Sequence, residues 1–472
     1  MATHWSELPF ALLVHFAFVL AGLLIYAVGT HASGQRRHPS AALAWVLTIS
    51  LLPYLGLPLY LMLGTRKFSR PPALPVQAAH CQLDNTLQSG AMATLQGMGL
   101  EPPESHARIC FHPDGQAAWD ELVALINSAK TQLDICTFVL GNDAHGQHVA
   151  RLLEKRRAEG VRVRLLLDAV GSWRTSGAMV RHLRASGVLV VWYMPVLFNL
   201  LRGRGNMRNH RKLAIADGQR LWSGGRNLAA EYFTGKHHKR PWKDLSFTLD
   251  GPLAAQAQTL FSSHWRHSHG PQTLGYEISL ILPTTAPLTA SSPQRHLAQM
   301  VPSGPDQAED TFSDLLLTAL FRARKQVLAV TPYFVPDENL LKALCLAARR
   351  GVQVELIVPA RSNHRLADFA RARALRDLVA AGGHVRLAPN MVHAKAVVID
   401  DVLALCGSLN LDARSLFLNY ELMVAFYDSQ DISVVTQWIK TNFQHLPSHH
   451  PRQPSLMRDI AEGLVRWLGF QI

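Results

Sequence analysis

His210 and Lys212, with Asp217 after four intervening residues, recur as His393 and Lys395 with Asp400 at the same spacing. In both copies six residues follow the aspartate. Then come Gly224-Gly225 in one copy and Gly407-Ser408 in the other, with Asn227 and Asn410 at matching positions beyond. Five polar or glycine positions matched at an offset of 183 residues make coincidence a poor explanation, because each fixed position sharpens a motif. Histidine, lysine and asparagine in duplicate are what an enzyme needs to hold a phosphoryl group and attack it from opposite sides.

Neither copy alone makes a complete acid–base machine, but two copies meeting across a pseudo-twofold interface would. One imidazole attacks phosphorus and forms a phosphohistidine; the other protonates the leaving oxygen and later deprotonates the incoming hydroxyl. Lys212 and Lys395 neutralise the non-bridging oxygens, and Asn227, Asn410, Ser408 and Gly225 are expected to bind or orient the phosphate. The lysines supply the positive charge, so neither a metal nor a cofactor is expected. Each imidazole needs a carboxylate to orient it and support its charged form. Asp217 and Asp400 are candidates, and so are Asp244, seventeen residues beyond Asn227, and Glu421, eleven beyond Asn410.

The elements that must position these groups read as α/β. HRKLAIAD and HAKAVVID have strand-like tails, and side chains two apart on a strand share a face, so each His sides with its Lys. Asp217-Gly218 signals a turn, and LWSGG (221–225) resumes extended character. Helical stretches at 117–130, 148–160 and near 179–185 each precede an apolar run, at 132–140, 161–170 and 188–194. That alternation predicts βαβ units on mostly parallel sheets flanked by helices. The order then repeats: 128–143 aligns with 322–337 at an offset of 194, and 159–169 with 350–360 at 191. Drifting offsets mean loop-length differences between two copies of one unit.

The expected organisation is a membrane hairpin at 1–65, a Pro-containing tether at 66–105, repeats at 106–282 and 311–447 joined by a connector at 283–310, and a C-terminal amphipathic helix at 448–472. Residues 8–28 and 41–63 are each free of acidic residues, lysine and arginine over about the 20 residues needed to span a bilayer. Arg36 and Arg37 lie between them, against Arg66, Lys67 and Arg70 after the second. Basic residues mark the cytoplasmic side, so two spans give a three-to-two preference for a cytoplasmic catalytic region. The excess of 47 Lys+Arg over 34 Asp+Glu suits a polyanionic partner, either anionic lipid or nucleic acid. Five cysteines without metal-ligand or paired spacing read as core residues of a reducing compartment. The apolar run 194–201, followed by Arg202, Arg204 and Arg208, reads as core or as a lip toward acyl chains.

H-x-K-x4-D-x6-G-[GS]-x-N twice in one chain resembles the phospholipase D superfamily. RNHRKLAIADGQRLWSGGRNLAAEYF (208–233), WKDLSFTLDG (242–251), TPYFVPD (331–337) and HAKAVVIDDVLALCGSLNLDARSLFLNYE (393–421) narrow it to bacterial cardiolipin synthases of the phospholipase D type. The resemblance implies two phospholipase D-like repeats and an integral enzyme of the bacterial inner membrane. It implies phosphatidyl transfer between two phosphatidylglycerol molecules, giving cardiolipin and glycerol without a cofactor. It makes His210, Lys212, Asp217, His393, Lys395 and Asp400 catalytic, with Asp244 and Glu421 as acidic partners of the imidazoles. Where the family has an aromatic-glycine stretch before the second His, this chain has Ala388-Pro389-Asn390-Met391-Val392. Hydrolysis to phosphatidic acid, or transfer to another alcohol, would use the same motifs. A nuclease of the superfamily would suit the basic charge but not the apolar N-terminus, and no nucleic-acid partner is expected. A non-enzymatic scaffold would have no need of two intact motifs.

Overall fold

The computed structural model describes residues 8–32, 39–67, 86–195, 204–235, 240–269, 296–459 and 461–462. Residues 196–201 of the expected lip, 283–295 of the connector, and 460 and 463–472 of the C-terminal helix therefore lie outside the described residues, whereas 296–310 of the expected connector are described and open the second repeat. Before the catalytic body come α1 (Leu8–Ala32), α2 (Pro39–Leu51) and α3 (Pro53–Leu63). Among the described residues α1 alone is long and apolar enough to cross a membrane. The expected second span is broken: Pro53 lacks an N–H, and Leu52 leaves helical geometry at φ −132°. The chain doubles back there, so that Trp45 of α2 packs edge-to-face on Tyr60 of α3 at 5.4 Å.

The tether also holds more than was expected of it. Helix α4 (Leu87–Gly97) buries Leu87, Ala91 and Leu95 in the core of the second repeat. Strand β1 (Glu104–His106) pairs with that repeat's edge. The first repeat then runs β2 (Arg108–His112), α5 (Gly115–Ser128), β3 (Gln132–Thr137), α6 (Ala144–Ala158), β4 (Arg162–Asp168), α7 (Gly177–Ala185), β5 (Leu189–Tyr193), β6 (Leu213–Ala216), β7 (Arg220–Gly224), α8 (Ala230–Phe233), β8 (Ser246–Asp250) and α9 (Pro252–His269). The second runs β9 (His296–Ser303), α10 (Thr311–Arg322), β10 (Gln326–Val330), β11 (Phe334–Val335), α11 (Glu338–Arg349), β12 (Gln353–Pro359), α12 (Arg365–Ala380), β13 (His384–Ala388), β14 (Ala396–Ile399), β15 (Leu403–Gly407), β16 (Leu411–Asp412), α13 (Ala413–Phe417), β17 (Glu421–Phe426) and α14 (Ser429–Phe443). Side chains of Asp114, Asp143, Asp337 and Asp428 cap the first turns of α5, α6, α11 and α14.

Both sheets have one strand order. Sheet one is β2-β8-β7-β6-β3-β4-β5, and sheet two is β9-β17-β15-β14-β10-β12-β13 with β1 added outside β9. Within these two sheets β3–β4–β5 and β10–β12–β13 are parallel and the other pairings antiparallel; outside them β11 and β16 form a short parallel pair. The sheets are thus mixed rather than mostly parallel, because a hairpin and its return strand fill half of each. Helices α5 to α7 cover one outer face, and α4 with α10 to α12 cover the other. The inner faces share one core, where Phe247 and Phe426 meet at 5.3 Å and α9 and α14 contribute Phe261, Trp265, Val435 and Trp438. Two copies of a unit that bury their faces against each other explain both the pseudo-twofold arrangement and a site at the seam.

Candidate active site

The seam is stitched by the segments carrying the duplicated motif. His210 N donates to Tyr420 O and Tyr420 N to Arg208 O; across the pseudo-twofold, His393 N donates to Lys243 O and Lys243 N to Met391 O. Each histidine therefore enters beside an acid of the other repeat. His210 Nδ1 lies 2.9 Å from Glu421 Oε1, and His393 Nδ1 lies 2.8 Å from Asp244 Oδ2. Both carboxylates are fully buried. An Nδ1–H donated to a carboxylate fixes the tautomer and leaves the lone pair on Nε2. The Ala388–Val392 departure is accommodated: Met391 and Val392 supply the backbone pairing with Lys243.

Both imidazoles are held neutral. Burial lowers His210 to about 4, with Glu421 opposing and Lys212 and Lys395 assisting. Burial and Lys395 lower His393 to about 3, against Asp244, with Lys212 adding to the depression. Each lysine thus reaches the other repeat's histidine electrostatically, which places all four groups in one site. Burial likewise brings Lys212 down to about 7 and Lys395 to about 8, both supported by the two carboxylates. Burial pushes Asp244 and Glu421 upward, but the adjacent histidines and lysines outweigh it and keep both acids below their usual range. Lys395 Nζ lies 3.1 Å from His393 Nε2, and both lysines donate to the carbonyl of their own motif histidine.

The remaining expected residues fall into two groups. Ser408 Oγ donates to Glu421 Oε2 at 2.5 Å, and Gly225 abuts Asp244. Asn227 and Asn410 brace the following turn, Nδ2 donating to Tyr232 and Ser415 respectively. Asp217 and Asp400 are elsewhere, which corrects their expected catalytic role. The Asp217 carboxylate accepts from the backbone N–H groups of Lys130, Thr131 and Gln132, each at 2.8 Å. Asp400 accepts from those of Arg324, Lys325 and Gln326 at 2.6 to 2.9 Å. Strands β6 and β14 separate each aspartate from its lysine by roughly 16 Å of extended chain. At φ 53° both aspartates form hairpin turns in the left-handed region, which Asp tolerates.

Sequence reasoning missed several neighbours. Phe138 meets His210 edge-to-face at 5.0 Å, while Tyr232 and Trp242 wall His393 at 5.0 and 5.5 Å. Buried Arg211 donates to Glu421 O and Arg226 to Asp244 O, fixing the backbone of each acid. Extending the internal alignment beyond Asn227 and Asn410 would have paired Tyr232 with Ser415, and Trp242 with Asn419. Among the described residues, His296, Asp428 and Asp431 could approach a metal ion together. Their geometry is accounted for by a His296–Asp431 pair at 3.0 Å and by Asp428 capping α14.

The model of the family described as "Cardiolipin synthase, PLD-like domain" matches residues 122–265 and 316–446, and a "Phospholipase_D-nuclease N-terminal" model matches 20–64. Cardiolipin synthase A of Pseudomonas fluorescens is 32% identical, over 96% of each chain. Cardiolipin synthase of Geobacillus kaustophilus is 27% identical over 95% of this chain and 92% of its own. A solved structure of Haemophilus influenzae phosphatidylserine synthase covers 81% of this chain and all of its own at TM-score 0.60 and 14% identity, a likeness of fold.

Proposed function

We propose, for a chain that belongs to the phospholipase D-like cardiolipin synthase family, the transfer of a phosphatidyl group from one phosphatidylglycerol to the terminal hydroxyl of another. The observation that carries this reading is the exchange of carboxylates across the seam. It leaves the lone pair of each imidazole on Nε2, that of His393 beside Lys395 Nζ, with two lysines in one buried site.

In the first half, Nε2 of one histidine attacks phosphorus and the P–O bond to glycerol breaks. The other histidine protonates the departing alkoxide; the phosphodiester anion, arriving beside that imidazole, favours its charged form against the burial that keeps it neutral at rest. In the second half the same histidine takes the proton of the incoming hydroxyl, the new P–O bond forms and the P–N bond breaks. Two phosphatidylglycerols become one cardiolipin and one glycerol, with both imidazoles restored. Lys212 and Lys395 offset the charge on the non-bridging oxygens. Glu421 and Asp244 orient the rings and stabilise each imidazolium as it forms.

The chain associates with membranes, as its family and its apolar N-terminal helix indicate. We read it as an enzyme of the bacterial inner membrane with the catalytic body on the cytoplasmic face. The reading is tested with purified protein in micelles of detergent and phosphatidylglycerol, following lipids and glycerol by mass spectrometry. Cardiolipin with equimolar glycerol is expected from the wild type. His210→Ala and His393→Ala should each lose about 10⁴-fold or more in rate, as removal of a nucleophile or its acid–base partner does. Phosphatidic acid as the main product would make the protein a hydrolase.

A further inference from the structure

We infer that α2 and α3 form a re-entrant hairpin, so that among the described residues α1 alone crosses the membrane, and the start of α1 and the catalytic body lie on opposite faces. This rests on reading α1 to α3 as membrane-embedded, and it replaces a pair of spans by one span and a loop of helices. A continuous helix would hold Trp45 and Tyr60 about 22 Å apart at 1.5 Å per residue, yet their rings touch. The neighbours along α1 give the direction. Ascending from Ala32, Tyr26 meets Tyr60 at 5.1 Å, and a Cβ on Gly22 would press on Ile49 of α2 at 2.8 Å and touch Leu57 of α3 at 3.8 Å. Deepest, Phe18 and His15 meet Tyr54 at 5.0 and 5.7 Å. So α2 descends antiparallel to α1, turns at Leu52–Pro53 and α3 returns beside it. A Cβ on Gly56 would come 2.6 Å from Thr48 O, so glycine is what lets the two arms close.

Length agrees. The 13 residues of α2 reach about 20 Å, short of a hydrocarbon core of about 30 Å, whereas the 25 of α1 exceed it. The returning arm is fastened to the catalytic body. Met62 O accepts from Gly205 N, in the loop leading to His210. Arg66 pairs with Asp310 at 2.7 Å and lies over the Phe417 ring, and Lys67 donates to Gln307 O, Glu309 O and Asp310. Charge then stops being ambiguous. With a re-entrant hairpin, the segment bearing Arg36 and Arg37 and that bearing Arg66, Lys67 and Arg70 meet one face, and residues 1–7 contain no Lys or Arg. A bias of three to two becomes five to none, all on the side of the catalytic body.

The test uses the full chain in bacterial cells with Thr3→Cys, Ser33→Cys or Leu55→Cys. Each is treated with a membrane-impermeant maleimide in spheroplasts and in inside-out vesicles, with the unmodified protein as blank. Thr3→Cys should label in spheroplasts, Ser33→Cys in inverted vesicles alone, and Leu55→Cys in neither. Labelling of Ser33→Cys from outside, with Thr3→Cys reached from inside, would restore two spans and overturn the inference, as would a Leu55→Cys reached in spheroplasts. Recovery of the protein in the soluble fraction, labelled at all three positions, would instead sink the membrane reading beneath it.

Discussion

The half-sites around His210 and His393 hold the same groups within different walls. At His210 the acid is Glu421, tied to Ser408, with Asn419 and Ser415 where the other half has Trp242 and Tyr232. At His393 the acid is Asp244, one methylene shorter and lodged against Gly225. Phe138 still lies against His210, but at those two positions its wall is polar where that of His393 is aromatic. Duplication preserved what the chemistry needs, namely imidazole, ammonium and carboxylate. The residues around that set are free to make the halves unequal, which would favour one imidazole as nucleophile and the other as acid–base group under the proposed reaction.

After the histidines themselves, the largest expected effect comes from the acids. Asp244→Asn and Glu421→Gln keep the shape of each side chain but can present an N–H to Nδ1, destabilising the productive tautomer. We expect turnover to fall about 10²- to 10⁴-fold for each, measured as cardiolipin formed per minute. A loss confined to one variant would break the equivalence of the halves.

A reciprocal exchange at Gly225 and Ser408 sharpens the comparison. A Cβ on Gly225 would fall 2.2 Å from Asp244 Oδ1, an oxygen already held by Leu245 N at 2.7 Å. Gly225→Ser therefore makes the two motifs more alike in sequence yet should displace Asp244 from His393, cutting kcat by about a hundredfold. Ser408→Gly removes one hydrogen bond to a charged group, worth about 1.5–3 kcal/mol, or roughly 10- to 100-fold if it is fully expressed in the rate. Equal tolerance of both substitutions would show that Asp244 has room to move.

The pH profile should separate histidines from lysines. With burial holding His210 and His393 near 4 and 3, neither imidazole is charged at rest and the acid–base histidine is charged only in the complex, so kcat at saturating lipid should stay flat down to about pH 5. The lysines lose charge as pH rises through about 7 for Lys212 and about 8 for Lys395, so phosphate attraction weakens on the alkaline side. A decline of about tenfold from pH 7 to 9 is expected. Lys395→Arg, which keeps its charge, should flatten that limb even if its rate is lower throughout. An alkaline limb unmoved by the change would assign it to another group.

Much of this was legible in the chain. The βαβ alternation and the internal offsets disclosed two repeats, and fixed spacing disclosed His210, Lys212, His393 and Lys395. What stayed hidden is non-local. Nothing near Asp217 says that its strand carries it away from Lys212, or that Asp244 crosses the seam to His393, because a spacing gives contour length and not direction. Mixed sheets were missed because β2 and β9 insert beyond a hairpin far along the chain. The apolar run at 41–63 reads as one span since hydrophobicity measures what lipid tolerates, while the reversal at Pro53 depends on non-local contacts, Gly22 with Ile49, Gly56 with Thr48 and Tyr60 with Tyr26 and Trp45.

The smallest effect on activity is expected where the motif looks most catalytic. Asp217 and Asp400 hold the N–H groups that open β3 and β10, so replacing either should leave turnover per folded molecule within about twofold while lowering stability by about 1–3 kcal/mol. For Asp217 the hydrogen bonds that hold its carboxylate below the usual range make that contribution present at neutral pH and lost as the solution is acidified through the carboxylate range. Two substitutions divide the cause. Asp217→Gly removes the hydrogen bonds but accepts φ 53°, whereas Asp217→Ala removes them and adds left-handed strain of about 1–2 kcal/mol. Denaturant unfolding should therefore rank wild type above Gly and Gly above Ala, with activity nearly level across all three. A collapse of turnover in Asp217→Gly with its fold intact would return this aspartate to the chemistry, and the two halves would then differ from each other less than each differs from the site described above.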